Sequence, residues 1–233
     1  AANNVWIEVL FKAAPAPGAD SVLTENRRVD LRPDRDMTLN VEIYNPNGSI
    51  PLIVTPGGMG DIEGFGAFAK NLAAASSDLK VIIMDRRNLG RSEVSFASAE
   101  PLSGEEAEDL HVLLQRLDID SAIFYGMSSG SRSNMVLAER YPEQVDALII
   151  APLTGGPIAA QRLADEYFLS YLRDDSLTSM EAVAETPLWK GYMERNSVEL
   201  QKIFMEQNID DFLGTMKMTG EYLASFHAKT TLG

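Results

Sequence analysis

The chain has 233 residues and a formal net charge of −14, and 45% of its residues are hydrophobic and 23% charged. These values are typical of a globular protein with a large buried core and exclude a disordered chain. The negative charge argues against a nucleic-acid partner and against an anionic membrane surface, because both require basic patches. The absence of cysteine excludes disulfides and thiolate metal sites.

The sequence as given predicts no targeting signal. No apolar run reaches the ~18 residues of a membrane-spanning helix, and the first residues lack the basic and then apolar pattern of a signal peptide. The sequence therefore predicts a cytoplasmic protein, with neither a membrane nor a nucleic acid as partner. Whether the protein forms a homo-oligomer is left open.

Strand and helix patterns alternate through the first 155 residues, which favours a mostly parallel sheet. Segments 27–31 and 39–44 alternate apolar and polar residues and predict an antiparallel pair at a sheet edge. Helices are predicted over 62–75 and from a capping box formed by Ser103 and Glu106. The predicted strands cover residues 5–11, 27–31, 39–44, 51–54, 79–84, 121–125 and 145–150.

Residues 126–130 read Gly-Met-Ser-Ser-Gly and stand between the apolar segment 121–125 and a helical pattern over 131–141. A G-x-S-x-G motif between a strand and a helix is typical of a nucleophile elbow. Its small residues permit a strained turn that exposes one serine hydroxyl near a helix N-terminus. The motif predicts Ser128 as a catalytic nucleophile, with an ordinary strand-to-helix turn as the alternative.

Two more motifs precede the elbow, each directly after a predicted buried strand. They are Gly-Gly-Met-Gly at 57–60 and Asp-Arg-Arg-Asn-Leu-Gly-Arg-Ser at 85–92. In this order the three motifs resemble the α/β-hydrolase superfamily, and especially its proline-iminopeptidase-like members. The resemblance implies a mostly parallel α/β-hydrolase sheet in residues 1–155. It also implies an oxyanion hole made by the loop at Gly58 and Met59 and by the backbone N–H of Ser129.

The sequence departs from the superfamily pattern in two ways. Pro56 stands where a histidine usually precedes the glycine loop, which puts the loop geometry in doubt. A serine hydrolase also needs a base and an acid after the nucleophile, in the order Ser, Asp or Glu, His. His111 precedes Ser128 on a predicted helix, and His227 falls at the end of a helical pattern over 209–227. Neither histidine is a convincing base, so the acid and the base stay unassigned.

Residues 156–233 resemble the helical cap that many members of the superfamily insert after the strand at 145–150. Pro157 and Pro187 mark predicted helix starts. No strand pattern follows, so we expect the hydrolase core to be incomplete at its C-terminus, without the two strands that would carry acid and base. The apolar residues predicted to line a substrate pocket are Met127, Leu153, Leu163, Tyr167, Phe168 and Tyr171.

The predicted function is that of a serine hydrolase that cleaves a small, largely apolar acyl substrate through a Ser128 acyl-enzyme. The alternatives are a catalytically incomplete binding or scaffold protein and an aminopeptidase or C–C hydrolase of the same fold. No cofactor or metal is expected, because no nucleotide-binding glycine motif and no metal-ligand spacing is present. Arg86, Arg87 and Arg91 are expected to anchor loops to acidic neighbours.

Overall fold

The computed structural model describes residues 15–151 and 157–229. Its six strands are β1 Thr24–Asp30, β2 Thr38–Tyr44, β3 Ile50–Thr55, β4 Leu79–Met84, β5 Ala122–Met127 and β6 Val145–Ala151. They form one sheet in the order β1-β2-β4-β3-β5-β6. The pairs β1–β2 and β2–β4 are antiparallel, and the other neighbours are parallel. The antiparallel edge pair is therefore confirmed, whereas the predicted strand 5–11 lies outside the described residues.

Helices between the strands cover both faces of the sheet, and further helices follow β6 in the chain. The helices are α1 Ile62–Ala75, α2 Leu102–Arg116, α3 Ser129–Arg140, α4 Pro157–Tyr167, α5 Met180–Ala184, α6 Pro187–Arg195, α7 Val198–Met205 and α8 Ile209–Lys229. The predicted helix starts at Pro157 and Pro187 are both observed, as proline at a first helical position allows. None of the described helices is long and apolar enough to cross a lipid bilayer.

Two apolar layers enclose the sheet. On one face, α2 and α3 pack through Leu113 and Leu137 against Ile82 and Phe124. On the other face, Phe65 and Ala69 of α1 pack against the remaining side chains of the parallel strands. Because helices cover both faces of the sheet, the central strands carry apolar side chains on both sides and are continuously apolar. The parallel strands β3, β4 and β5 consequently end at one edge, where the three sequence motifs follow them.

A separate aromatic cluster holds the helices that follow β6. Phe96, from the loop after β4, lies in edge contact with Phe212 of α8 and with Trp189 of α6, at ring-centroid distances of 4.9 and 5.4 Å. The Thr215 hydroxyl of α8 donates to the Phe96 carbonyl at 2.6 Å. These contacts fasten the helical segment over the loop that carries the second motif.

The capping box predicted at Ser103 and Glu106 is wrong. Helix α2 begins at Leu102, and the preceding residue, Pro101, provides no side-chain cap. The Leu102 amide instead donates to the Thr219 hydroxyl of α8 at 3.1 Å. Glu106 is buried and pairs with Arg86 at 2.8 Å. A capping box depends only on local spacing, and here tertiary ion pairing overrides it.

Buried ion pairs anchor the loop after β4 to α2. Arg87 donates to both oxygens of Asp109 at 2.6 and 2.7 Å, and the two side chains are each 4% exposed. Arg35, in the β1–β2 connection, also donates to Asp109 at 3.0 Å. The expectation that Arg86 and Arg87 anchor this loop to acidic neighbours is therefore confirmed. Asp109 connects three segments that are distant in sequence.

We predict that Asp109→Asn lowers the free energy of unfolding by about 3 kcal/mol, because buried Arg87 loses a doubly hydrogen-bonded carboxylate and keeps only Glu105, at 3.5 Å, as an acidic partner. Asp34→Asn is the matched control, since Asp34 pairs with Arg116 at a side-chain exposure of 54%. Such an exposed pair contributes less than about 1 kcal/mol. Urea unfolding of both variants measures the difference, and equal losses would contradict the anchoring role of Asp109.

Candidate active site

The turn between β5 and α3 holds Ser128 in a strained backbone conformation. Ser128 has φ 49° and ψ −113°, in the positive-φ region that non-glycine residues rarely occupy. Its amide donates to the Ala151 carbonyl of β6 at 3.3 Å, and its own carbonyl accepts from the Ser131 amide at 3.1 Å. The side chain is partly exposed and lines a cavity. The backbone thus has the sharp strand-to-helix turn of a nucleophile elbow.

The second glycine of the G-x-S-x-G motif, Gly130, lies where there is no room for a side chain. A Cβ atom built at Gly130 would lie 2.3 Å from the Thr55 carbonyl oxygen and 2.5 Å from that of Pro56. The first turn of α3 therefore packs directly on the backbone at the end of β3. The Thr55 hydroxyl donates to Asn134 Oδ1 at 2.8 Å. This hydrogen bond holds the end of β3 against the next turn of α3.

The glycine loop after β3 lies against the elbow. A Cβ at Gly57 would be 2.9 Å from the Ser128 Cβ, so the two residues are direct neighbours. The Gly58 amide donates to the Ser129 hydroxyl at 2.7 Å. The carbonyl of Gly58 accepts a hydrogen bond from Arg86. The structure thus brings the predicted oxyanion residues Gly58 and Ser129 together beside Ser128, and Met59 lines the same cavity.

A cavity of about 360 Å³ lies between these loops and the helices α4, α6 and α8. This size is within the range of small-molecule sites. Leu153 lies outside the described residues. The other five residues predicted for the pocket all line the cavity: Met127, Leu163, Tyr167, Phe168 and Tyr171. Further apolar lining comes from Phe65, Leu89, Phe96, Leu102, Leu188, Trp189, Met216 and Leu223.

Sequence reasoning missed the polar side of the cavity. Arg86, Glu106 and Arg132 line it and are 5%, 7% and 7% exposed. Glu106 Oε1 accepts from Arg86 at 2.8 Å, and Glu106 Oε2 accepts from the Ser133 hydroxyl. Burial lowers the pKa of Arg132, Arg86 lowers it further, and the charge of Glu106 opposes both effects. The feature of the sequence that could have indicated Arg132 is its position four residues after Ser128, which places it one helical turn further along α3.

Among the described side chains, no histidine lies beside Ser128. His111 on α2 stacks on Tyr141 with a ring-centroid distance of 3.8 Å and lies 2.9 Å from Gln144 Oε1. His227 belongs to α8, but its side chain lies outside the description. No histidine occurs among the described residues that line the cavity. Within the described parts of the chain, no group of three or more His, Asp or Glu residues is arranged to hold a metal ion.

The order of the motifs, the strained elbow and the sheet topology all agree with one known family. The family model for the alpha/beta hydrolase fold matches residues 50–186. The chain belongs to this family. The match covers the sheet from β3 to β6, all three motifs and the first helices after the sheet.

Curated relatives of this α/β-hydrolase include the sn-1-specific diacylglycerol lipase ABHD11 of Mus musculus, 28% identical over 144 residues. That alignment covers 61% of this chain and 44% of the lipase. The esterase YbfF of Escherichia coli is 29% identical over 123 residues, covering 50% of this chain and 46% of the esterase. The chain thus spans less than half the length of both proteins.

Solved structures support the fold at low sequence identity. An E-2-(acetamidomethylene)succinate hydrolase superposes with a TM-score of 0.55 at 22% identity, covering 86% of this chain and 74% of that one. A 2-hydroxy-6-oxo-6-phenylhexa-2,4-dienoate hydrolase from Rhodococcus gives a TM-score of 0.54 at 18% identity, covering 87% and 75%. The coverage includes the helices after β6 as well as the sheet.

We predict that Gly57→Ala destabilises the protein by about 1–3 kcal/mol, because the new methyl group overpacks a rigid contact. Its Cβ would lie 2.4 Å from the Met127 carbonyl oxygen, so backbone must move. Gly214→Ala on α8 is the control, since its Cβ would meet nothing within 4 Å. The control should instead stabilise by about 0.5–1 kcal/mol. Thermal unfolding compares the two variants, and a neutral Gly57→Ala would contradict the close approach of loop and elbow.

Proposed function

We propose that this chain carries the nucleophile and oxyanion hole of a serine hydrolase. The observation that carries the proposal is the strained Ser128, with φ 49°, which lines a cavity and lies beside the glycine loop. Strain at one residue of a turn persists only where the surrounding structure enforces it, and it occurs preferentially at functional sites. The lipase and esterase names of the relatives agree with a hydrolase.

In the proposed reaction, Ser128 Oγ forms a bond to the carbonyl carbon of the substrate and passes its proton to a base. The carbonyl electron pair moves to the oxygen, which accepts hydrogen bonds from the amides of Ser129 and Gly58. Each such donor contributes about 3 kcal/mol to transition-state stabilisation. Collapse of the intermediate expels the alcohol, which receives the proton back from the base, and leaves an ester on Ser128 that water then hydrolyses. The base is left unassigned, since no described cavity residue is a histidine.

The proposed substrate is a small acyl compound with a largely apolar body. Support comes from the walls of the cavity, which include the aromatic residues Tyr167, Phe168 and Trp189. Apolar walls of this kind favour ligands that bury hydrocarbon surface. We further propose that residues 156–233 act as a cap, because α4, α6 and α8 line the same cavity as Ser128.

A binding or scaffold role is the second candidate function. It is favoured by the absence of histidine from the described lining of the cavity. The two functions differ in turnover: a binding protein holds an ester without releasing acid, whereas a hydrolase releases acid through many cycles. The amount of p-nitrophenol released from short p-nitrophenyl esters, and of amine released from aminoacyl amides, over many turnovers separates the two functions and ranks the substrate classes.

We predict that Ser128→Ala lowers ester hydrolysis by at least about 10³-fold, because the acyl-enzyme can no longer form. Ser103→Ala is the control, since Ser103 is another serine that lines the cavity. The control should retain most of the activity. Initial rates with p-nitrophenyl butyrate measure both variants, and an unchanged rate in Ser128→Ala would reject the proposed nucleophile.

A second prediction concerns the hydroxyl that occupies the Gly58 amide. Ser129→Ala removes this competing acceptor and frees the amide for the oxyanion, so kcat should rise about threefold to tenfold, the value of one neutral hydrogen bond. Ser129→Thr keeps a hydroxyl and serves as the control, with kcat close to that of the unmodified protein. A fall in kcat for Ser129→Ala would instead assign the hydroxyl a supporting role in the oxyanion hole.

A further inference from the structure

Aromatic side chains are concentrated in the lining of the cavity beside Ser128. Only 8% of the residues in the chain are aromatic. The described residues of the lining nevertheless include six aromatic ones from the loop after β4 and from segment 157–229, and no valine or isoleucine. These six residues form the aromatic wall of the cavity: Phe96, Tyr167, Phe168, Tyr171, Trp189 and Tyr222. The cavity thus differs from the core of the sheet, where aliphatic side chains predominate.

Contacts between rings fix part of the aromatic wall. The rings of Phe96 and Trp189 are nearly perpendicular, with an interplanar angle of 85° and a centroid distance of 5.4 Å. Both rings also contact Phe212, and so does the ring of Tyr171 at 5.2 Å. Side chains that are already held in one rotamer lose little entropy when a ligand binds. The wall is therefore preorganised for a ligand.

Other rings of the wall keep exposed surface. Phe96 and Trp189 are 0% and 3% exposed, so they support the wall from behind. Phe168, Tyr171 and Tyr222 are half-buried and line the same cavity. These rings can offer part of their surface to a ligand, and they come from two separate parts of the segment that follows β6.

Ring surface distinguishes an aromatic ligand from an aliphatic one of similar size. An aliphatic group gains only the burial of apolar area. An aromatic ring gains in addition the attraction between ring quadrupoles in edge-to-face or offset-stacked contacts. The cavity volume of about 360 Å³ is at the lower end of small-molecule sites and suits one ring with a short chain.

We propose that the aromatic wall binds a phenyl-sized ring of the substrate, so that the substrate is an ester with one aromatic ring close to the scissile carbonyl. This inference rests on the proposed function, because it places the carbonyl at Ser128. It narrows the substrate class from apolar acyl compounds to small arylalkyl esters. Phe168 and Tyr171 are specificity-determining residues, because both are half-buried rings of the lining.

The test compares esters that differ only in whether their ring is aromatic or saturated. On the acyl side the pair is methyl phenylacetate and methyl cyclohexylacetate, and on the alcohol side it is benzyl acetate and cyclohexylmethyl acetate. Isothermal titration calorimetry on the Ser128→Ala variant measures the four affinities without hydrolysis. Cyclohexyl is the larger and more hydrophobic group, so burial of area alone favours the saturated ester of each pair.

We expect the phenyl ester of at least one pair to bind at least about threefold more tightly than its saturated partner, as one or two ring contacts allow. The pair that shows the preference places the ring on the acyl or on the alcohol side. A smaller phenyl preference in both pairs, a preference for the saturated ester in both pairs, or no binding of any ester would overturn the inference.

Further variants in the same background locate the effect. Phe168→Leu and Tyr171→Leu each remove one ring but keep an apolar side chain, so each should reduce the phenyl preference and the double variant should abolish it. Phe68→Leu is the matched control, because Phe68 pairs with Tyr125 and is not among the described residues of the cavity lining. The control should keep the preference. An unchanged preference in the double variant, with thermal unfolding showing that it is folded, would overturn the assignment to the aromatic wall.

Hydrolysis by the unmodified protein separates this inference from the proposed function. If no ester is hydrolysed but the calorimetric preference for the phenyl ring holds, the aromatic wall stands and the proposed reaction fails. If the esters of each pair are hydrolysed with equal kcat/KM and bind equally, the reaction stands and the aromatic wall fails.

Discussion

The close approach of the elbow to the end of β3 is the contact on which the site depends. Gly130 meets the carbonyls of Thr55 and Pro56, and Gly57 meets the carbonyl of Met127, each without room for a Cβ atom. Two backbone segments thus fix the turn from both sides and hold Ser128 at φ 49°. Strain of this kind costs on the order of 1–3 kcal/mol, and the hydrogen-bonded sheet on either side offsets it.

Buried ion pairs also hold the loops of the site in place. Asp109 anchors Arg87, while Glu106 anchors Arg86, which in turn donates to the carbonyl of Gly58. One helix, α2, therefore positions both the loop after β4 and the loop after β3. Removal of either carboxylate would disturb the floor of the cavity as well as the stability of the fold, because the same arginines serve both.

Much of the fold followed from sequence because the strands and motifs are local signals. The apolar segment 79–84 and the helix at 62–75 were predicted with the observed bounds, since periodicity and flanking turns define them. The Ser103–Glu106 capping box failed because Arg86, 20 residues away, competes for Glu106. Arg132 was missed for a related reason: its importance depends on burial beside Arg86 and Glu106, which no local pattern encodes.

Ser128 is the proposed nucleophile, and the amides of Gly58 and Ser129 form the proposed oxyanion hole. A crystal structure of the protein after reaction with an alkyl fluorophosphonate tests this assignment most directly. We expect phosphorus bonded to Ser128 Oγ, with the phosphonyl oxygen about 3 Å from both amides and the Gly58–Ser129 hydroxyl contact broken. Phosphorus on another residue, or a phosphonyl oxygen turned away while Gly58 still donates to Ser129 Oγ, would contradict the account.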